Sequence, residues 1–139
     1  MSNLERYTVS MPRDLFVAFD EWLRRHSYSN RSEALRDLVR AALVEQQWTD
    51  PEARVVASLT LVYDHHVHDL GDKLTHIQHQ FGDLVISTMH VHLDHHNCLE
   101  VIVMRGRADD IRKLADATST AKGVKHARLA LTTEGASLA

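Results

Sequence analysis

Two apolar runs with β character, Leu84 to Met89 and Leu99 to Met104, flank the stretch His90-Val91-His92-Leu93-Asp94-His95-His96-Asn97-Cys98. Asp94 to Asn97 is polar and turn-prone, so the spacing predicts a hairpin that folds the second run back along the first. Side chains alternate along a strand. His90 and His92 therefore share one face, and Met89, Val91 and Leu93 share the other, expected to face a core. Across the hairpin, Cys98 comes back beside His92. This stretch holds the only cysteine of the chain and four of its eleven histidines.

Two imidazoles and a thiol converging from neighbouring strands suit nickel, copper, zinc or cobalt, and do not suit magnesium or calcium. Histidines alternating on a strand are also common on solvated surfaces, and a single cysteine is often a small buried apolar side chain. Both features across one short hairpin favour a metal site.

The hairpin sits inside a longer alternation. Arg54 to Tyr63 is rich in β-branched residues and reads as a strand. Residues 65–80 carry Val67, Leu70, Leu74 and Ile77 at helical spacing. After the hairpin, Gly106 ends the second strand. Ala108 to Lys122 reads as an amphipathic helix with Ile111, Leu114, Ala115 and Thr118 inward, stopped by Gly123. Val124 to Thr132 closes as a last strand. The order strand, helix, strand, strand, helix, strand is that of an α+β, ferredoxin-like (ACT-type) domain over residues 54–133. Both helices then cover one face of the sheet, and the bare face calls for oligomerisation.

The N-terminal part has a different character. Arg6-Tyr7-Thr8-Val9-Ser10-Met11 alternates polar and apolar residues, as a half-buried strand does. Pro12 ends it and suits the first turn of a helix. Leu15, Phe19, Trp22 and Leu23 mark an amphipathic helix over 13–25. Asn30 with Glu33 opens a second helix over about 31–47, striped by Leu35, Leu38, Val39, Ala42 and Leu43. One short strand and two helices cannot close a core or satisfy the strand's backbone. A second copy of the chain solves both problems by forming a two-stranded ribbon on four intertwined helices. Such a ribbon fits the major groove of DNA. Its outer face carries Arg6, Thr8 and Ser10, and the second helix begins with Arg31 and Ser32, a natural phosphate clamp. The module, a ribbon-helix-helix unit, spans residues 1–47. The polar, proline-containing stretch 48–53 reads as a linker, and 134–139 as a frayed tail.

Charge follows the same division. Residues 1–40 hold seven arginines and six carboxylates, a balance of +1, and the remainder carries −4 of the total of −3. Ten of the eleven histidines lie beyond residue 60. One cysteine excludes a disulfide framework and fits a reducing cytosol. No apolar run is long enough for a bilayer, and Met1 to Ser10 lacks the pattern of a signal peptide. These features lead to the expectation of a soluble cytoplasmic protein.

A ribbon-helix-helix start followed by a ferredoxin-like domain bearing His-x-His-x5-Cys resembles the nickel-responsive repressor family, NikR, over roughly residues 5–132. Three local matches carry the resemblance: Arg6, Thr8 and Ser10; Asn30-Arg31-Ser32-Glu33-Ala34-Leu35-Arg36-Asp37; and Gln78-His79 through His90-Val91-His92 to Cys98-Leu99-Glu100. The resemblance implies one Ni(II) per subunit, held by His90, His92 and Cys98 of one subunit and His79 of a neighbour. The assembly it implies is a homotetramer, a dimer of dimers. It makes Glu100 a carboxylate that orients a ligand imidazole, and places Tyr63 and His65 at hydrogen-bonding or secondary metal positions. It also puts a hard cation such as K+ at Glu33 and Asp37, between the two modules. A surface ion pair with Arg36 or Arg40 is an equally good account of that pair. The implied activity is metal-dependent binding to operator DNA, with repression of nickel uptake.

Other readings stay open. The same architecture could sense cobalt, copper or zinc. A ferredoxin-like regulatory domain could sense a small molecule instead, with no need of the His and Cys cluster. An enzyme using Cys98 as nucleophile with His90 or His92 as base is disfavoured, because no phosphate-cradling or acyl-transfer loop is visible.

Overall fold

The computed structural model describes residues 3–138; the outermost ends of the expected N-terminal module and tail lie outside the described residues. The elements are α1 (Arg13–Arg25), α2 (Arg31–Trp48), β1 (Arg54–Asp64), α3 (Leu70–Gln80), β2 (Val85–His92), β3 (Asn97–Arg107), α4 (Ala108–Ser119) and β4 (Val124–Thr132). The chain divides into two compact units, one ending at Ala41 and the other beginning at Ala42.

In the first unit, α1 starts where expected, after Pro12, whose carbonyl accepts from Phe16 N–H. Asn30 opens α2 as a capping box. Its Oδ1 accepts from Glu33 N–H at 2.8 Å, and Glu33 Oε2 accepts in return from Asn30 Nδ2 and Ser29 Oγ. The aromatic side chains cluster at the helix-helix turn, where Trp22 stacks on His26, Tyr28 and Phe19. Burial is slight: Leu23 and Ala34 are enclosed, whereas Leu15, Val17, Leu38 and Val39 stand open. Residues 6–11 form no ladder in the single chain. Tyr7 is 68% and Val9 59% exposed. The strand expected over Arg6 to Met11 is therefore not formed in the single chain, and the apolar side chains of the unit stay largely open.

The second unit is the four-stranded antiparallel sheet, in the order β2-β3-β1-β4, with α3 and α4 on one face. On β1, buried and half-exposed positions alternate strictly from Val55 to Tyr63, because every second side chain meets the helices. Leu59, Leu61, Ile102, Met104, Leu70, Leu74, Ile111 and Leu114 fill the layer between. The bare face corrects one expectation. Met89, Val91 and Leu93 do not enter the core; Met89 is 56% and Leu93 52% exposed. The helices lie on the side of the sheet that carries His90, His92 and Cys98, so the apolar partners of the histidines fall on the uncovered side.

Two boundaries differ from the sequence reading. The helix expected from residue 65 starts at Leu70, after Asp69 in a left-handed conformation. His65 and His66 are instead held in a loop, by His96 O and Asp64 Oδ1 respectively. Residues 48–53 are docked on the sheet unit. Trp48 is 5% exposed, donates its Nε1–H to Thr132 O at 2.9 Å, and lies under the Arg112 guanidinium. Ala53 O and Pro51 O accept from the first N–H groups of α4, and Glu52 pairs with Arg107. In the tail, Glu134 pairs with Arg105, and Ser137 Oγ accepts from Gln47.

Gly123 lies beyond the end of α4, in the turn to β4, at φ +103°; a Cβ there would come 2.7 Å from Leu70 Cδ2 and 3.0 Å from Val67 Cγ1. Gly123→Ala combines backbone strain with a clash against the start of α3. It is expected to lower stability in chemical denaturation by about 1–3 kcal/mol.

Candidate metal centre

The register of the β2–β3 ladder builds the site. His92 is paired with Cys98, and His90 with Glu100; on the far side of β3, Cys98 is paired with Tyr63. Paired residues project to the same side of a sheet. The row His92–Cys98–Tyr63 and the next row, containing His90 and Glu100, therefore share the helix-covered face.

Cys98 lies at the centre and is 0% exposed. Its Sγ is 3.4 Å from His92 Nδ1 and 3.2 Å from His65 Nδ1. The donor atoms of His65, His92 and Cys98 all fall within 4.8 Å of one another. A thiolate and an imidazole bound to one first-row ion, at about 2.3 and 2.0–2.1 Å, stand roughly 3.1 Å apart at a right angle and roughly 3.6 Å apart at the tetrahedral angle. Both separations fall in that span, so the residues present fit a transition-metal ion. His90 stands beside the trio, its ring 5.1 Å from that of His92, and its Nδ1 is 3.3 Å from Tyr63 Oη. His79 is exposed in the last turn of α3, outside the gathered trio.

Polar links fix the surroundings. Gln78 Nε2 donates to the buried Glu100 carboxylate at 3.0 Å, and Gln78 Oε1 accepts from Thr88 Oγ1. The end of α3 is thereby tied to both strands of the hairpin. Burial, with help from the Glu100 and Cys98 charges, pushes the Tyr63 phenol up to about 12. Its hydroxyl keeps its proton at neutral pH and can donate to His90. Burial also lowers the pKa of His65, reinforced by His66 and His92, which favours the neutral ring that a metal or a thiol proton requires. The Cys98 thiol is pushed up, first by burial and then by Asp64, Asp94 and Glu100.

Sequence reasoning placed His65 only near the site. Its direct approach to Cys98 depends on the loop after β1, which the helical spacing of Val67, Leu70 and Leu74 disguised. The residues expected to face DNA divide. Arg6, Thr8 and Ser10 are exposed, as is Ser32. Arg31 is engaged by a two-point ion pair with Asp20, at 2.8 and 2.7 Å, and lies over the Phe16 ring. The pair suggested for a hard cation is engaged within the first unit. Asp37 accepts from Tyr28 Oη at 2.8 Å and pairs with Arg40 at 3.1 Å, while Glu33 serves the helix cap. Arg36 and Arg40 line the same depression, so a cation there would first have to displace positive charge.

Comparison with known proteins identifies the domain's family. The family model for the NikR C-terminal nickel-binding domain matches residues 56–132. A protein of Solibacter usitatus is 55% identical over 138 residues, 99% of each chain, and one of Desulfovibrio desulfuricans is 52% identical over 139 residues, the whole of both chains. Each bears the name "Putative nickel-responsive regulator". Among solved structures, an uncharacterized protein from Thermotoga maritima superposes with a TM-score of 0.51 at 14% identity, over 56% of this chain and 96% of its own. At that identity the likeness speaks for the fold alone. A four-stranded α+β domain with gathered imidazole and thiol donors, matched along its length by a nickel-binding domain, is a metal-binding regulatory module. The chain belongs to the nickel-responsive regulator family, NikR. The relatives are regulators rather than enzymes, and no helix among the described residues is long and apolar enough to cross a membrane.

A metal ligated by Cys98 displaces the thiol proton, which burial holds tightly. Apparent nickel affinity is therefore expected to rise with pH across the neutral range. Calorimetric titrations in buffers of different ionisation enthalpy would read the released proton directly.

Proposed function

We propose that the protein is a nickel-activated repressor that binds operator DNA as a homotetramer in the cytoplasm and limits nickel uptake. The ladder register that sets His90 and His92 beside the buried Cys98, in a domain of a nickel-binding family, carries this reading. His90, His92 and Cys98 would hold the ion, one per subunit, together with the partner subunit's His79. The exposed position of His79 at the end of α3 leaves it available to a second copy. A nitrogen-rich set with one thiolate suits nickel(II) or copper(II) in a tetragonal field, whereas zinc favours a tetrahedron. In this reading, His65 is the hydrogen-bond partner of the Cys98 thiol in the metal-free chain. When bound, nickel supplies a cross-link between α3 of one subunit and the hairpin of another. Gln78, bonded to Glu100, would pass the ordering of the hairpin into α3.

The remaining surfaces support assembly. Met89, Val91 and Leu93 lie on the bare sheet face, and the open apolar side chains of α1 and α2 suit an intertwined second copy. That pairing would join two copies of residues 6–11 into a ribbon, with Arg6, Thr8 and Ser10 outward. Residues 1–47 hold seven arginines and seven carboxylates, so the module gains little from phosphate attraction alone, and metal-dependent ordering would supply part of the operator affinity. Ligand and operator then favour the same conformation, and each strengthens the other.

Cys98→Ala is expected to lose tight nickel binding, its thiolate-to-nickel charge-transfer band and nickel-dependent operator shifts, with circular dichroism unchanged. Unaltered nickel-dependent gel shifts in that variant would remove Cys98 from the site. Two imidazole variants separate the ligand sets. His79→Ala should lose the planar nickel spectrum while His65→Ala keeps it, and the opposite result would assign the ion to His65, His92 and Cys98 of one chain. Arg6→Ala should lose operator recognition at unchanged nickel affinity. Sequence-specific binding by that variant would exclude the ribbon's outer face as the reading surface.

A further inference from the structure

Three histidines outside the proposed nickel set form a second cluster. His66 lies in the loop after β1, and His95 and His96 lie in the β2–β3 loop. Their ring centres stand 5.3 Å (His66–His95), 5.1 Å (His66–His96) and 5.1 Å (His95–His96) apart. Three imidazoles on one tetrahedral ion, each nitrogen about 2.0–2.1 Å from the metal, have ring centres about 5 Å apart. All three side chains are exposed, so the rings are free to turn their nitrogens inward.

The backbone that carries them is already fixed. Asp64 Oδ1 accepts from His66 N–H at 2.9 Å, and Asp94 Oδ1 accepts from His96 and Asn97 N–H, each at 2.8 Å. His65 N–H donates to His96 O at 3.1 Å and joins the two loops. His66 Nε2 now sits 2.9 Å from His95 O, a contact that one ring rotation exchanges for a metal bond.

We propose that His66, His95 and His96 form a second metal site that takes a divalent transition ion of imidazole preference, zinc foremost, with solvent as the fourth ligand. The site has no thiolate and too few protein donors for planar nickel, and it suits an ion content with three nitrogens and an open position. It lies beside the first site, with the His65 and His66 rings 4.2 Å apart. Occupancy clamps the loop after β1 to the hairpin loop and fixes His65 against Cys98. The proposal does not depend on which imidazoles hold nickel.

The test is a cobalt(II) titration of the full-length Cys98→Ala protein, followed by zinc competition. One cobalt per chain is expected, with d–d bands of a four-coordinate nitrogen and oxygen site and no thiolate charge transfer. Zinc should bleach the bands. Adding His66→Ala or His96→Ala should abolish them, and adding His76→Ala should leave them. The wild-type protein loaded first with nickel should give the same cobalt difference spectrum, which guards against a folding defect from the loss of Cys98. Absence of the bands in both preparations, or their survival in the His66→Ala and His96→Ala variants, would overturn the assignment.

Discussion

The antiparallel register between β2 and β3 is the constraint on which the rest depends. A slip of one residue would carry every side chain of β2 to the opposite face. His90 and His92 would then look into solvent, and Met89 and Val91 would press on the helices. The tight polar loop guards the register: Leu93 and Asp94 N–H both donate to Asn97 O, and the Asp94 carboxylate gathers the following amides. A structural device and a chemical one therefore share the same few residues.

The two units leave different surfaces unfinished. The first encloses little and exposes a run of apolar side chains on both helices. The second has a dense core on one side of its sheet and an open apolar patch on the other. Surfaces of this kind mark contacts with other chains. The metal donors, by contrast, lie on the covered side, where Cys98 and Glu100 are sheltered by the helices. The gathered imidazole and thiol donors and the open apolar patch thus lie on opposite faces of one sheet.

Much of this was legible in the chain. The period of Leu15, Phe19 and Trp22, the alternation from Val55 to Tyr63, and the His-x-His motif facing a cysteine across a turn each report a local rule, and each fixed an element to within a few residues. What escaped depended on distant partners. Which face of β2 is buried is decided by where the helices cross, and two apolar-flanked histidines look the same from either side. His65 reads as part of a helix because Val67 stands at helical spacing from Leu70, although Val67 is a half-buried residue of the loop after β1. Trp48 reads as linker because its partners, Thr132 and Arg112, lie far along the sequence. Arg6 to Met11 alternates as a strand would, yet forms no ladder within the single chain.

The burial of Cys98 has a chemical consequence beyond binding. Burial and the nearby carboxylates of Asp64, Asp94 and Glu100 favour the protonated thiol, and the protonated form is a poor nucleophile toward peroxides and disulfides. With no second cysteine in the chain, an oxidised Cys98 would have no neighbour to resolve it. The same enclosure that raises the thiol pKa keeps this lone sulfur in its protonated, unreactive form.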